Sequence, residues 1–231
     1  MKTVITLFIS LLFVSVNVVA QDDDGWVSKK YDIEDFSSLR LYGGYKVFLS
    51  QGKQTGIEVK AKDYNVLDNL TVENWSDELS LVIEDEFFAY KRIRVYVTFK
   101  ELNEIAVEGG LNLESDGYLD LDDLDLQIQG GAKIDLQMKA DDVKVTGEGG
   151  VLIDLNGVAN SLMVKLSGAG HLDANELKTK DVDIEIEGVG TGSVYATEKL
   201  YTKIEGVGKV SYKGDPKVIK EIDGLGSVKR Y

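Results

Sequence analysis

One glycine-centred phrase recurs along the second half of the chain, as EGGLNLES, QGGAKIDL, EGGVLIDL, SGAGHLDA, EGVGTGSVYA, EGVGKVSY and DGLGSVKR. Its first glycines are Gly109, Gly130, Gly149, Gly168, Gly188, Gly206 and Gly224, spaced by 21, 19, 19, 20, 18 and 18 residues. Helix-pair repeats need roughly 33 residues or more, so this period is too short for them and suits one coil of a β-solenoid. At two, four and six residues before these glycines, 17 of 21 positions are apolar, Leu124, Leu126, Ile128, Val182, Ile184 and Ile186 among them. At one, three and five before, only Ala106, Met163, Tyr201 and Ile219 are. That alternation is the signature of strands with one buried face. It continues past the glycine on the same parity, as in Ala132, Ile134 and Leu136.

Each glycine therefore falls at an inward position in the middle of an extended stretch. Either the strand bends there and crowds the interior, or the backbone takes a positive φ that glycine alone tolerates cheaply. Both make the Gly-x-Gly phrase a corner of the coil. A phosphate-binding loop is a poorer reading of Gly206, Gly208 and Lys209. The loop needs Gly-x-x-x-x-Gly-Lys followed by Ser or Thr, and here Val210 follows the lysine.

Coils of this kind bury their apolar face only by stacking, about 4.8 Å apart. The last coil then faces an end problem, and Lys220 and Arg230 at inward positions, with Tyr231, are expected to cap it. Residues 26–100 lack the phrase but alternate in the same way, at Tyr45-Val47-Leu49, Ile57-Val59-Ala61, Leu79-Leu81-Ile83 and Ile93-Val95-Val97-Phe99. Gly43-Gly44 and the stretch around Gly52 and Gly56 are read as turns. No polar or proline-rich linker separates the halves. The expected fold is thus all-β, a solenoid of about 19-residue coils at 101–231 joined to an irregular β-rich half at 33–100, in one domain spanning 33–231.

Residues 1–20 carry Lys2, an apolar run from Val4 to Val16, and the small-residue site Val18-Val19-Ala20 before Gln21. This pattern predicts a cleaved secretory signal peptide, followed by an acidic leader over 21–32 that includes Asp22-Asp23-Asp24. The run before Asn17 is shorter than the roughly 20 residues of a retained span. The expected product is periplasmic, surface-located or secreted. With no cysteine it gains neither disulfide bonds nor a lipidated cysteine in that compartment. A net charge of −14 argues against nucleic acid and anionic lipid as partners.

Catalytic chemistry finds little footing. The single histidine, His171, falls on an outward position, whereas a nucleophile triad needs an oriented histidine. Glycosidases work with two carboxyls at a defined separation. Forty acidic residues supply such pairs by chance, so a carbohydrate-active β-helix enzyme is the alternative to a binding module. The residue before each glycine is more specific, reading Glu108, Gln129, Glu148, Ser167, Glu187, Glu205 and Asp223. Stacked in register, Glu187, Glu205 and Asp223 form a ladder whose repulsion lysines such as Lys203, or Ca²⁺, would offset. The calcium nonapeptide Gly-Gly-x-Gly-x-Asp is approached by GGAKID and GGVLID, but Lys133 and Leu152 replace its third glycine. No other cofactor is indicated. In EDEFFAYKR, residues 84–92, Phe87, Phe88 and Tyr90 either contact a sugar or protein partner or cover an open end of the core.

The stretch FSSLRLYGGYKVFLSQGKQTGIEVKAKDYNVLDNLTVE, the strands Leu79-Ser80-Leu81-Val82-Ile83 and Val95-Tyr96-Val97-Thr98-Phe99, the following Leu102-Asn103-Glu104-Ile105, the glycine ladder and the closing YKGDPKV together resemble the bacterial putative auto-transporter adhesin, head GIN domain family. The likeness runs from about Ile33 to Val228. It implies an exported, solenoid-like, non-enzymatic protein with a role in adhesion or envelope architecture, binding a surface protein or glycan. It brings no catalytic residues to carry over. The chain departs from many relatives in placing Glu rather than Ser before most of the glycines, Ser167 being the exception.

Overall fold

The computed structural model describes residues 16–21, 25–62, 65, 67, 69–83 and 93–231. Its strands are, in chain order, β1 (Val16–Gln21), β2 (Val27–Tyr31), β3 (Ser38–Gly43), β4 (Lys46–Gln51), β5 (Gly56–Ala61), β6 (Leu70–Trp75), β7 (Glu78–Ile83), β8 (Ile93–Phe99), β9 (Glu104–Gly109), β10 (Asn112–Ser115), β11 (Leu119–Asp120), β12 (Leu124–Gly130), β13 (Lys133–Lys213) and β14 (Lys217–Arg230). The fold is all-β, an open, mixed sheet of 14 strands among the described residues.

Pairing in the repeat region is parallel and paced by the glycine period. β12 pairs β13 from Leu124↔Val143 to Gly130↔Gly149, and β13 pairs β14 from Lys199↔Lys217 to Tyr212↔Arg230. β13 is 81 residues long and would span about 270 Å if straight. It bends instead at its glycines. Gly188 takes φ +109, and a Cβ on it would stand 2.6 Å from the carbonyl oxygen of Gly168. The same relation links every first glycine of the phrase to its predecessor. Of the two explanations for glycine here, positive φ is therefore the one realised, and the crowding comes from the adjacent strand's backbone. Where the phrase reads Gly-x-Gly, its second glycine meets the interior: a Cβ on Gly208 would lie 2.8 Å from Ile204 Cγ2.

The apolar residues at even positions before the glycines, as far as Ile204, join the alternating apolar residues of the N-terminal half in a single core that runs from Tyr31 to Val210. Its largest fully buried side chain is Tyr45, whose hydroxyl donates to the Leu81 carbonyl at 2.9 Å. Burial pushes that phenol's pKa up. The hydrogen bond satisfies the one polar atom that this ring takes out of water.

The N-terminal half is more regular than its sequence suggests. Gly43, read as part of a turn, has φ +124, and β3 pairs β9 in parallel with Gly43 opposite Gly109. Gly43 is thus the first member of the glycine column. β3 also pairs β7 in parallel, and β4 lies parallel to both β8 and β10. After β4 the chain turns back to build β5 to β8 on the far side of β3 and β4, then returns at β9 to continue forward. The antiparallel strands β6 on β7, and β1, β2 and β5 on β8, finish that end.

The other end stays open. Leu200, Thr202 and Ile204 are buried, whereas their register partners in β14 are Val218, Lys220 and Ile222, and Ile222 is 40% exposed. Leu225 is 76% exposed. Lys220 and Arg230 do not cover this cross-section as a cap would. Lys220 is exposed, and Arg230 Nη1 pairs with Asp215 Oδ1 at 3.0 Å. Among the described residues, no helix is long and apolar enough to cross a membrane.

Candidate binding surface

Stacking in register converts each outward position of the repeat into a column. Five residues before the glycine the column reads Met163, Asp183, Tyr201 and Ile219, and seven before it reads Ser161, Asp181, Lys199 and Lys217. These residues line a groove of about 510 Å³, backed by Leu162, Val182 and Leu200. Met163 and Ile219 are about half exposed, at 53% and 51%. Three of the four apolar interruptions of the alternation, Met163, Tyr201 and Ile219, thus meet in one place. The signal in the sequence was their shared distance from the glycine.

Two carboxylates sit among them. Asp181 Oδ1 and Asp183 Oδ1 are buried with no hydrogen-bond partner. Lys199 Nζ lies 3.5 Å from Asp181 Oδ2. Burial, reinforced by the Glu185 carboxylate, raises the pKa of Asp183. Burial first, then Glu221, Asp183 and Glu185, raises that of the Tyr201 phenol.

The ladder before the glycines lies between this groove and the Gly-x-Gly corner. Lys165 Nζ is 2.8 Å from Glu187 Oε1, and Ser167 Oγ donates to Glu187 Oε2 at 3.1 Å. These contacts hold Glu187 below the usual carboxylate range. Lys203 Nζ is 2.9 Å from Glu205 Oε1, and Asp223 is the register partner of Glu205. Lysines therefore meet the two glutamates. Among the described residues, no group of three or more His, Cys, Asp and Glu side chains is placed to hold a metal ion.

A second carboxylate row, five residues after the glycine, went unnoticed in the sequence. Glu114 is opposite Asp135 in register, and Asp154 and Asp173 continue the row one period at a time. Burial raises the pKa of Asp154; the amide of Asn156, donating to its Oδ1 at 2.8 Å, works against this, and Asp135 and Asp173 add to it. At the corner itself, Leu152, Val189 and Val207 border a shallow groove of about 610 Å³ with Gly150, Gly170, Gly190 and Gly208. His171 lies there on the exposed side, its Nδ1 2.6 Å from Thr191 Oγ1. Phe87, Phe88 and Tyr90 lie outside the described residues.

The chain belongs to the putative auto-transporter adhesin, head GIN domain family, whose model matches residues 35–216. Its fold is shared with solved structures. A putative adhesin from Bacteroides fragilis NCTC 9343 is similar over 89% of this chain and 97% of its own, with 23% identity and a TM-score of 0.79. A putative adhesin from Parabacteroides merdae ATCC 43184 is 18% identical over 93% and 100%, with a TM-score of 0.66. A putative lipid binding protein from Parabacteroides distasonis ATCC 8503 is 21% identical over 90% and 98%, with a TM-score of 0.65. No curated protein matches the chain.

Proposed function

We propose that this protein is an exported, non-enzymatic display module of the adhesin type, its chain wound as a β-solenoid with residues 1–20, and with them all of β1 but Gln21, removed on export, which leaves β2 as the end strand. The observation that carries this reading is the outward side of the rungs. It leaves apolar columns half exposed, in grooves of about 510 and 610 Å³, on a rigid parallel lattice. Contiguous exposed apolar surface bordered by charge marks interaction sites, and a stacked sheet holds such a surface still at no further ordering cost. Family membership and the adhesin relatives support the same direction. The partner is a protein or glycan of a cell surface.

The test uses the chain from Gln21 onward, coated on beads and presented to immobilised cell-surface glycans and proteins. Retention above that of albumin-coated beads is expected. Retention no better than albumin on every surface would remove the reading.

A further inference from the structure

We propose that the groove lined by Met163, Asp183, Tyr201 and Ile219 receives a lysine or arginine side chain, with an adjacent apolar residue, from an extended segment of a partner polypeptide. This rests on the display-module reading and names the partner class for one of its grooves.

The groove combines two needs. Its walls, Met163, Tyr201 and Ile219, are apolar side chains facing water, and they suit the aliphatic stem of a long basic residue. Between Met163 and Tyr201 in the same column stands Asp183, a partly exposed residue whose Oδ1 has no hydrogen-bond partner. A buried acceptor left unmatched is costly, and a charge-assisted donor is the strongest remedy for a carboxylate.

The surrounding charges select the sign of the ligand. Glu185 and Glu221 face Asp183 and Tyr201. Lys199 is taken up by Asp181, and Lys217 stands beside it at the seven-before rim. An anionic group would meet the Asp183 carboxylate, and a neutral sugar would leave its charge uncompensated. A cation answers both. The shape points to a polypeptide: the groove crosses four rungs, about 14 Å at a spacing of 4.8 Å, which is the reach of about four extended residues. Its half-exposed walls leave it open along one side, as a strand requires.

The experiment is calorimetric titration of the full chain with acetyl-Leu-Lys-Leu-Lys-Ser-amide. Parallel titrations use the peptide with both lysines replaced by glutamate, and hexylamine alone. The lysine peptide is expected to bind, the glutamate peptide not to, and hexylamine to bind at least 10-fold more weakly. Asp183→Asn keeps the side chain's shape and removes its charge; it should weaken the lysine peptide by about 10-fold or more. Ile219→Ser, on the exposed side of the last rung, should weaken it as well. It provides a second variant should the asparagine protein fail to fold.

Equal binding of both peptides, an unchanged affinity in the two variants, or hexylamine binding as tightly as the peptide would each overturn the proposal. The bead assay on the same variants separates the two readings. Wild-type beads that adhere while the lysine peptide finds no site would sink this inference alone; beads that never adhere would sink the reading beneath it.

Discussion

Gly188→Ala tests the glycine column directly. At φ +109 an alanine enters a region that costs about 1–3 kcal/mol for a residue with a side chain. Its Cβ would also stand 2.6 Å from the Gly168 carbonyl oxygen, closer than van der Waals contact. The oxygen belongs to a backbone fixed in a parallel ladder, so relief requires a shift of the strand, at about 1–3 kcal/mol by analogy with overpacked cores. The total is about 2–6 kcal/mol. In a domain of this size each kcal/mol moves Tm by about 2–4 °C, so a fall of roughly 4–24 °C is expected. Thermal unfolding followed by circular dichroism measures it. Gly150→Ala is the internal control, because a Cβ there meets nothing within 4 Å, and its Tm should change little. Equal Tm values for the two variants would refute the account of the column as a sterically required corner.

Asp154→Asn should raise Tm near neutral pH. The native carboxyl has a pKa above its ordinary 3.8, so the folded state holds the proton more tightly and stability declines as pH rises from 3.8 through the native pKa. The gain from asparagine should vanish below that window, which Tm measured from pH 3 to pH 7 would reveal. Ile204→Ala, at a fully buried position, should cost about 2–5 kcal/mol in chemical denaturation, and Ile222→Ala, at the open end, distinctly less. Because lysines meet Glu187 and Glu205, neither a chelator nor millimolar Ca²⁺ should move Tm. A Ca²⁺-dependent rise lost in Glu205→Gln would reinstate the cation ladder.

The periodic part of the fold was legible because each rung repeats one rule: apolar at even distances before a glycine. Gly43 carries the same context, with Leu39 and Leu41 before it and Tyr45, Val47 and Leu49 after it. It was hidden because residues 52–103 separate it from its register partner Gly109, so no period was visible. The detour through β5 to β8 depends on which strand pairs with which over long separations, and alternation alone does not specify that. The main groove was half legible. The interruptions at Met163, Tyr201 and Ile219 stood out, but their convergence and the burial of Asp183 Oδ1 follow from stacking. The expectation of a closed C-terminal end failed for a physical reason. A charged residue at an inward position can swing out to water, and Lys220 does so while leaving Ile222 uncovered.

The position of β3, flanked by β7 on one side and β9 on the other, bears on how the molecule assembles. Joining β3 to β9 closes a loop of 66 residues between Ser38 and Glu104, whereas each later turn closes about 19. By chain statistics the longer closure is dearer by about 1 kcal/mol. The short local turns of the repeat region are thus the favoured place for folding to start, with the seam joined onto them. Evolution could lengthen or shorten such a molecule by whole turns, since every turn added beyond the seam offers the next one the same template.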